Sequence, residues 1–365
     1  MYQALVSVLW HVVPFLLVLG LIVFCHELGH FVAAKRSGMR VFEFALGFGP
    51  VAKSWESKGT VYSLRVVPIG GFVRIAGMEP GEDPDMEGSF STKPFLPRLL
   101  TLSAGCIMNF VLAVVIYIGI GMVIGLPDGT DTNQVAQVIS GGVAEKAGLK
   151  AGDRLMAIND ERTSDSKRLR ERIYSSPSKP VVLTVERDGR LIRLSAVPKP
   201  TQVPDDKKSS GTKTVGTIGF YFQPVLKRVG PFTAVWAGTR HAWLTTKDMV
   251  LTLADMVRGR AEGGLGGPVA VMRVTGETAQ SQGAHGVFLL AAMLSLNIGL
   301  LNLLPLPALD GGWIFFLIFE ALRGRKLNPA KQAMVQYVGL VVILILMLMV
   351  TFKDISNWVM GQGPR

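Results

Sequence analysis

The sequence is short of charge. Asp, Glu, Lys and Arg make up 18% of its 365 residues, against about 25% in ordinary soluble domains. It is also short of cysteine, with only two, which excludes a disulfide scaffold. Cys25 and Cys106 both lie in apolar runs and read as buried thiols. The net charge of +11 comes from dispersed Lys and Arg with no stacking platform beside them. A nucleic-acid partner is therefore not expected, and Lys and Arg flanking membrane segments account for part of the excess. What is abundant is apolar. The hydrophobic share is 49%, with 15 Met and 18 Phe, and the mean hydropathy is +0.37. Disordered and collagen-like chains are excluded.

The apolar residues gather in runs long enough to cross a bilayer, which takes about 20 helical residues. They are Ala4 to Phe24, Leu99 to Leu126, Val287 to Pro305 and Val335 to Phe352. The first is too long for a signal-peptide core and no small-residue cleavage site follows, so it is expected to be retained. Lys35, Arg36, Arg40 and Arg98 lie between the first two runs; Arg323, Arg325, Lys326 and Lys331 lie between the last two. The positive-inside rule puts 35–98 and 320–334 in the cytoplasm and both termini outside. Phe232 to Val257 is apolar but carries Arg240, His241, Lys247, Asp248 and Asp255, and reads as an amphipathic helix at the membrane surface.

Residues 127–198 read as a small external domain. Strand-like runs alternate with turns, and Asp188-Gly189 marks a hairpin. The run GGVAEKAGLKAGDRLMAINDERT resembles the PDZ signature. Such domains often take an extended peptide onto a sheet edge; a spacer or size filter is the open alternative. Residues 199–214 are polar with Pro, Ser and Gly and read as a linker, with a further strand at VGTIGFYFQP.

The chemistry lies in HELGH at 26–30, at the cytoplasmic end of the first run. Four residues apart on a helix, His26 and His30 share a face and can reach one metal ion. Glu27 stands beside them, placed to take a proton from water. This is the zinc-protease arrangement. A charged group at membrane depth is costly, and a metal compensates; solvation by headgroups at a helix end is the alternative. A third ligand is needed, and Asp310 in NLLPLPALDGG at 302–312 is the candidate. Pro305 and Pro307 break the helix there, which is tolerated only against protein or a watery cavity. The alternative for Asp310 is a helix cap.

HELGH in a first span, NLLPLPALDG in a later one and a PDZ-like insert between them resemble the site-2 protease family of intramembrane zinc metalloproteases, most closely its bacterial sigma-E-regulating branch. The resemblance covers nearly the whole chain. It implies a polytopic α-helical membrane protein with four transmembrane helices, a cytoplasmic-side β-hairpin and an inserted external PDZ domain. The expected layout is 1–34, 99–126, 286–312 and 335–353 as spans, 35–98 as the hairpin region, 127–198 as the PDZ domain, 199–285 as linker, strand and juxtamembrane helix, 313–334 as a cytoplasmic loop and 354–365 as an external tail.

The resemblance further implies Zn²⁺ as cofactor, His26, His30 and Asp310 as its ligands and Glu27 as catalytic base. Asn302 would contact the substrate backbone or the developing oxyanion. The run SLRVVPIGGFVRIAG at 63–77 resembles the family's membrane hairpin, with Gly70, Gly71, Phe72 and Val73 holding substrate in extended form. The implied partners are the lipid bilayer, single-pass membrane proteins such as a pre-trimmed anti-sigma factor or remnant signal peptides, and a peptide or substrate tail at the PDZ domain. The setting is a cell inner membrane. Two departures stand out: one PDZ unit where relatives carry two, and Gly105-Cys106 where the family often has Gly-Pro. A metal transporter and a non-catalytic scaffold are the rival classes, told apart by metal flux and by indifference to zinc removal.

Overall fold

The computed structural model describes residues 2–78, 86–139, 141–163, 165–204, 212–259 and 267–359. The chain divides into two compact units, one of Met1–Met122 with Gly230–Arg365 and one of Val123–Val229.

The first unit is built on long helices. They are α1 (Tyr2–Arg36), α2 (Phe95–Val123), α5 (Pro231–Val257), α6 (Pro268–Leu303), α7 (Asp310–Arg323) and α8 (Pro329–Val359). Four of them, α1, α2, α6 and α8, are long and apolar enough to cross a membrane. Their contacts fix their directions. Thr101 lies by His30 and Asn109 by His26, so α2 runs against α1. Gly276 packs on His11, and Ala291 joins Val18 and Ile22, so α6 runs with α1. Gly339 packs on Pro307, and the Asp354 carboxylate accepts the Ala270 N–H at 3.0 Å, so α8 returns alongside α6. That carboxylate satisfies an otherwise orphaned donor at the start of α6. Glycines set the closest approaches: a Cβ at Gly29 would run into the Ala104 carbonyl, and one at Gly299 would press on Asn109 and Cys106. Small residues at such crossings let membrane helices pack by dispersion.

Strands β1 (Val41–Ser57) and β2 (Thr60–Ile75) follow α1. Their turn is Lys58-Gly59, both at positive φ, and not Gly70-Gly71, which β-rich runs flank in the sequence. Gly70-Gly71 lies inside β2, where the strand doubles back. Glu43 to Leu46 pair on one side with Val61 to Leu64 and on the other with Arg74 back to Gly71. Phe48, Val51, Trp55, Val66 and Ile69 remain exposed on this sheet.

The helix limits depart from the sequence reading in physical detail. The first turn of α2 accepts Pro97, which lacks only a donor that is orphaned there anyway, so the helix begins at Phe95 rather than 99. It ends before Gly125, whose φ of 121° suits glycine, and Leu126 opens a strand. In α6, Gly283 breaks the helix with φ 61°, and the turns before it were not anticipated. The third span ends at Leu303 rather than 312, because Pro305 and Pro307 cannot continue it. Residues 313–323, read as loop, are helical in α7, whose apolar Trp313, Ile314 and Leu317 pack inward. The last helix spans Pro329–Val359 where 335–353 was expected, and 360–365 fall outside the described residues.

The second unit holds a sheet in the order β10-β3-β4-β6-β7, with β5 on β4. These strands are β3 (Leu126–Val138), β4 (Arg154–Ile158), β5 (Glu161–Arg162), β6 (Val181–Arg187), β7 (Arg190–Ala196) and β10 (Phe220–Lys227). Asp188-Gly189, both at positive φ, turn the β6–β7 hairpin. Two helices, α3 (Val143–Lys146) and α4 (Ser166–Tyr174), accompany the sheet. The core gathers Val135, Leu155, Leu169, Leu183, Val185 and Phe222. The Asp165 carboxylate caps α4 by accepting the Lys167 N–H at 2.9 Å. Strands β8 (Lys199–Pro204) and β9 (Thr212–Thr217) pair where a linker was expected; its residues 205–211 lie outside the described ones. The unit therefore runs past 198, because β10 closes the sheet against β3 with Phe222 opposite Val135.

Candidate metal centre

The HELGH segment lies well inside α1, whose helix continues to Arg36. Its helical spacing brings His26 and His30 onto one face, with ring centroids 4.8 Å apart. Asp310 arrives from the far end of the sequence. Residues 304–309 leave the helix, with Ala308 at φ 71° and its N–H bound by the Gln336 side chain. Gly311 and Gly312 then let α7 start against the backbone of 303–307, where a Cβ would collide. As a result Asp310 Oδ2 stands 3.1 Å from His26 Nε2 and 3.3 Å from His30 Nε2. Asp310 is the first residue of α7, not its cap; Leu309 holds that position without a side-chain hydrogen bond. The cap alternative for Asp310 therefore falls.

Donor atoms of these three side chains all lie within 4.8 Å of one another. Both histidines are buried, at 9% and 8% exposure. Their outer nitrogens are engaged by α2. His30 Nδ1 is 2.7 Å from the Thr101 carbonyl, which accepts the Nδ1 proton and leaves the Nε2 lone pair facing inward. His26 Nδ1 lies 3.3 Å from the Asn109 amide. Among the described residues Asn109 Oδ1 is buried without a partner; turning the amide over lets it accept the His26 Nδ1 proton and frees that Nε2 as well. The Ser295 hydroxyl donates to the Asn109 carbonyl at 2.8 Å and ties α2 to α6 there. Two imidazole nitrogens and a carboxylate, with outer hydrogen bonds setting the tautomers, are a donor set that fits catalytic zinc.

The sequence reading missed this contribution of α2. Gly105 makes room for the site, since a Cβ there would collide with both imidazoles. Cys106 is fully buried, with Sγ 3.5 Å from Asp310 Oδ2. Its neighbourhood is the metal site and not an inert apolar run. Cys25, expected to be buried, is only partly buried, as are its neighbours Val23 and Phe24 on α1. The Gly105-Cys106 pair leaves α2 unbroken.

The other expected site residues divide. Gly71 lies beside Glu27: a Cβ on it would be 3.2 Å from Glu27 Cγ and 2.8 Å from the Ala45 carbonyl. Gly70, with φ 87°, passes under the Phe48 ring. Phe72 stacks on Phe48 at 6.5 Å, with the Arg65 guanidinium 4.9 Å from its ring. Val73 packs instead into the cluster of Ala34, Met39 and Val41. Asn302 is half-buried in the last turn of α6, and among the described residues it makes no hydrogen bond to the trio.

Two histidines in a helix of spanning length and an aspartate that opens the short α7, with an acid beside them, form a trio that could hold a metal ion and fit the class of membrane-embedded zinc metalloproteases. The comparisons agree. The profile of peptidase family M50 matches residues 14–346. The chain is 32% identical to the regulator of sigma-W protease RasP of Bacillus subtilis, over 95% of this chain and 98% of the relative. It is 31% identical to the zinc metalloprotease RasP of Geobacillus kaustophilus, over 97% and 100%. A Bacillus licheniformis protein, also named zinc metalloprotease RasP, is 32% identical over 95% and 99%. The chain belongs to peptidase family M50, the site-2 proteases. It is a zinc-dependent, multi-pass membrane protease.

Proposed function

We propose that this protease cuts the transmembrane segments of single-pass membrane proteins, with His26, His30 and Asp310 as zinc ligands and Glu27 as catalytic base. One observation carries the reading: the three donor groups converge within 4.8 Å from α1 and α7, helices far apart in sequence. When bound, zinc polarises the scissile carbonyl and makes a coordinated water acidic near neutral pH. Glu27 takes the proton of the attacking water and delivers it to the departing amide nitrogen. The Asn302 side chain donates to the substrate carbonyl oxygen as its charge develops.

A helical substrate hides its peptide bonds and must be extended before cleavage. The stretch Gly70–Val73 on β2 suits that task, because Gly71 brings strand backbone against Glu27. Exposed apolar residues of the same sheet favour contact with lipid or a substrate helix. The substrate classes we favour are pre-trimmed anti-sigma factors and remnant signal peptides. Basic residues 35–98 and 320–334 argue for a cytoplasmic-side active site with both termini and the inserted domain outside.

We read Val123–Val229 as a PDZ-type module for a peptide or substrate tail. Strand β10 is at the sheet's edge, and a groove of about 270 Å³ lies between residues 217–222 and Arg170, Ile173 and Tyr174 of α4. An edge strand beside a helix suits strand addition.

The test is cleavage of reconstituted transmembrane peptides by the wild type and by Glu27→Gln. Products from the wild type alone support the reading. Equal cleavage by both overturns the base, and no products from any peptide overturn the substrate class.

A further inference from the structure

The Asp310 carboxylate depends on other helices for its orientation. It stands at the first position of α7, after the cap residue Leu309. Among the described residues its partners are His26 and His30, at 3.1 and 3.3 Å, and Cys106, whose Sγ is 3.5 Å from the same Oδ2. The two imidazole atoms involved are the inward Nε2 nitrogens. When they bind a metal through their lone pairs, they hold no proton to give a carboxylate. The Cys106 thiol is then the donor left to it.

We propose that Cys106 is a positioning residue for the metal: its Sγ–H donates to Asp310 Oδ2 and holds that carboxylate as a ligand. This rests on the metal-site reading above. It completes a pattern already present on α2. Thr101 engages His30 and Asn109 engages His26, each at the atom turned away from the centre. Cys106 lies one turn before Asn109 on α2 and gives the third ligand a donor as well, here at Oδ2, the oxygen that faces the imidazoles. Outer partners of this kind fix ligand rotamers, and their removal typically lowers metal affinity about 10–100-fold. A thiol is a weak donor, so the effect belongs at the low end.

The experiment measures zinc affinity of the full chain in detergent, by competition with a chromophoric chelator. It compares wild type, Cys106→Ala and Cys106→Ser. We expect the Ala variant to bind zinc about tenfold more weakly, and the Ser variant, which keeps a hydroxyl donor, to match the wild type. Melting of the zinc-free proteins should not separate Ala from Ser. Should the Ala variant not fold, Cys106→Val, close in volume and without a donor, takes its place with the same expected loss. Cobalt-loaded wild type should lack a thiolate-to-cobalt charge-transfer band. Wild-type affinity in the Ala variant overturns the role, and so does a Ser variant as weak as Ala. A charge-transfer band overturns it in favour of direct ligation. A wild-type chain that binds no zinc at all overturns the metal site itself and this role with it.

Discussion

Each polar side chain in the α1 motif has a distinct task, and each task predicts a different variant. Glu27 is not a member of the trio whose donor atoms converge. Glu27→Gln should therefore keep zinc and lose cleavage by about 10²–10⁴-fold, the usual worth of a positioned base. Metal analysis beside a peptide-cleavage assay checks both halves. Gly71→Ala separates position from chemistry. Its Cβ would lie 2.8 Å from the Ala45 carbonyl and 3.2 Å from Glu27 Cγ, so strand or base must shift. Cleavage should fall while zinc content stays at the wild-type level; unchanged turnover would mean that β2 does not bear on the base. Gly105→Ala should do the reverse and strip zinc, because the new methyl collides with both imidazoles. At this scale the sequence was informative where spacing along one helix sets geometry, as for His26 and His30. It was silent on Thr101, Gly105, Cys106 and Asn109. Their roles come from contacts with residues distant in the chain, 71 and 83 positions apart for Thr101 and Asn109 and 204 for Cys106 with Asp310, which leaves no local pattern.

Elements were legible where apolar period and turn chemistry agreed. Asp188-Gly189 ends one alternating run and starts another, and the β6–β7 hairpin follows. The membrane-side hairpin misled because two glycine features compete. Lys58-Gly59 makes the turn, while Gly70-Gly71 serves the bend of β2 over Phe48 and Glu27. The α7 helix was hidden by its surroundings: prolines before it and basic residues after it look like loop. Within the second unit, Asp153 joins β4 to β6. Its carboxylate is 1% exposed, accepts Arg187 Nε and Nη2 at 2.6 and 2.7 Å, and accepts the Lys150 N–H at 2.9 Å. Burial by itself would raise its pKa, but the guanidinium and the backbone donor outweigh it and hold the carboxyl below its ordinary range. A depressed folded value means stability that is present above the unfolded value of about 3.9 and lost as pH falls through the folded one. The protection factors of the β4 and β6 amides in the full chain, exchange taken relative to its intrinsic rate at each pH, should therefore fall below about pH 4. Asp153→Asn should remove that pH dependence and cost about 1–3 kcal/mol at neutral pH. Protection factors that stay constant down to pH 2 in the wild type would contradict this role.

Across the whole molecule, the first unit assembles one site from the two ends of the chain. HELGH lies in α1 and LDGG opens α7, and α2 and α6 sit between them in sequence while bracing the site in space through Asn109 and Ser295. The alternating directions of α1, α2, α6 and α8 bring the motifs to one depth. Irregular backbone at 304–309 is tolerable there because Gln336 and the glycines of α7 cover it. The sequence supplied both motifs and the number of spanning helices; it could not supply the distance between the motifs, which depends on packing. The central claim is that His26, His30 and Asp310 hold one zinc together. The direct measurement is zinc per chain in purified wild type, Glu27→Gln, His26→Ala, His30→Ala and Asp310→Ala after dialysis against a weak chelator. The account predicts about one zinc per chain in the first two proteins and loss in the other three. Full zinc retained by Asp310→Ala would contradict it.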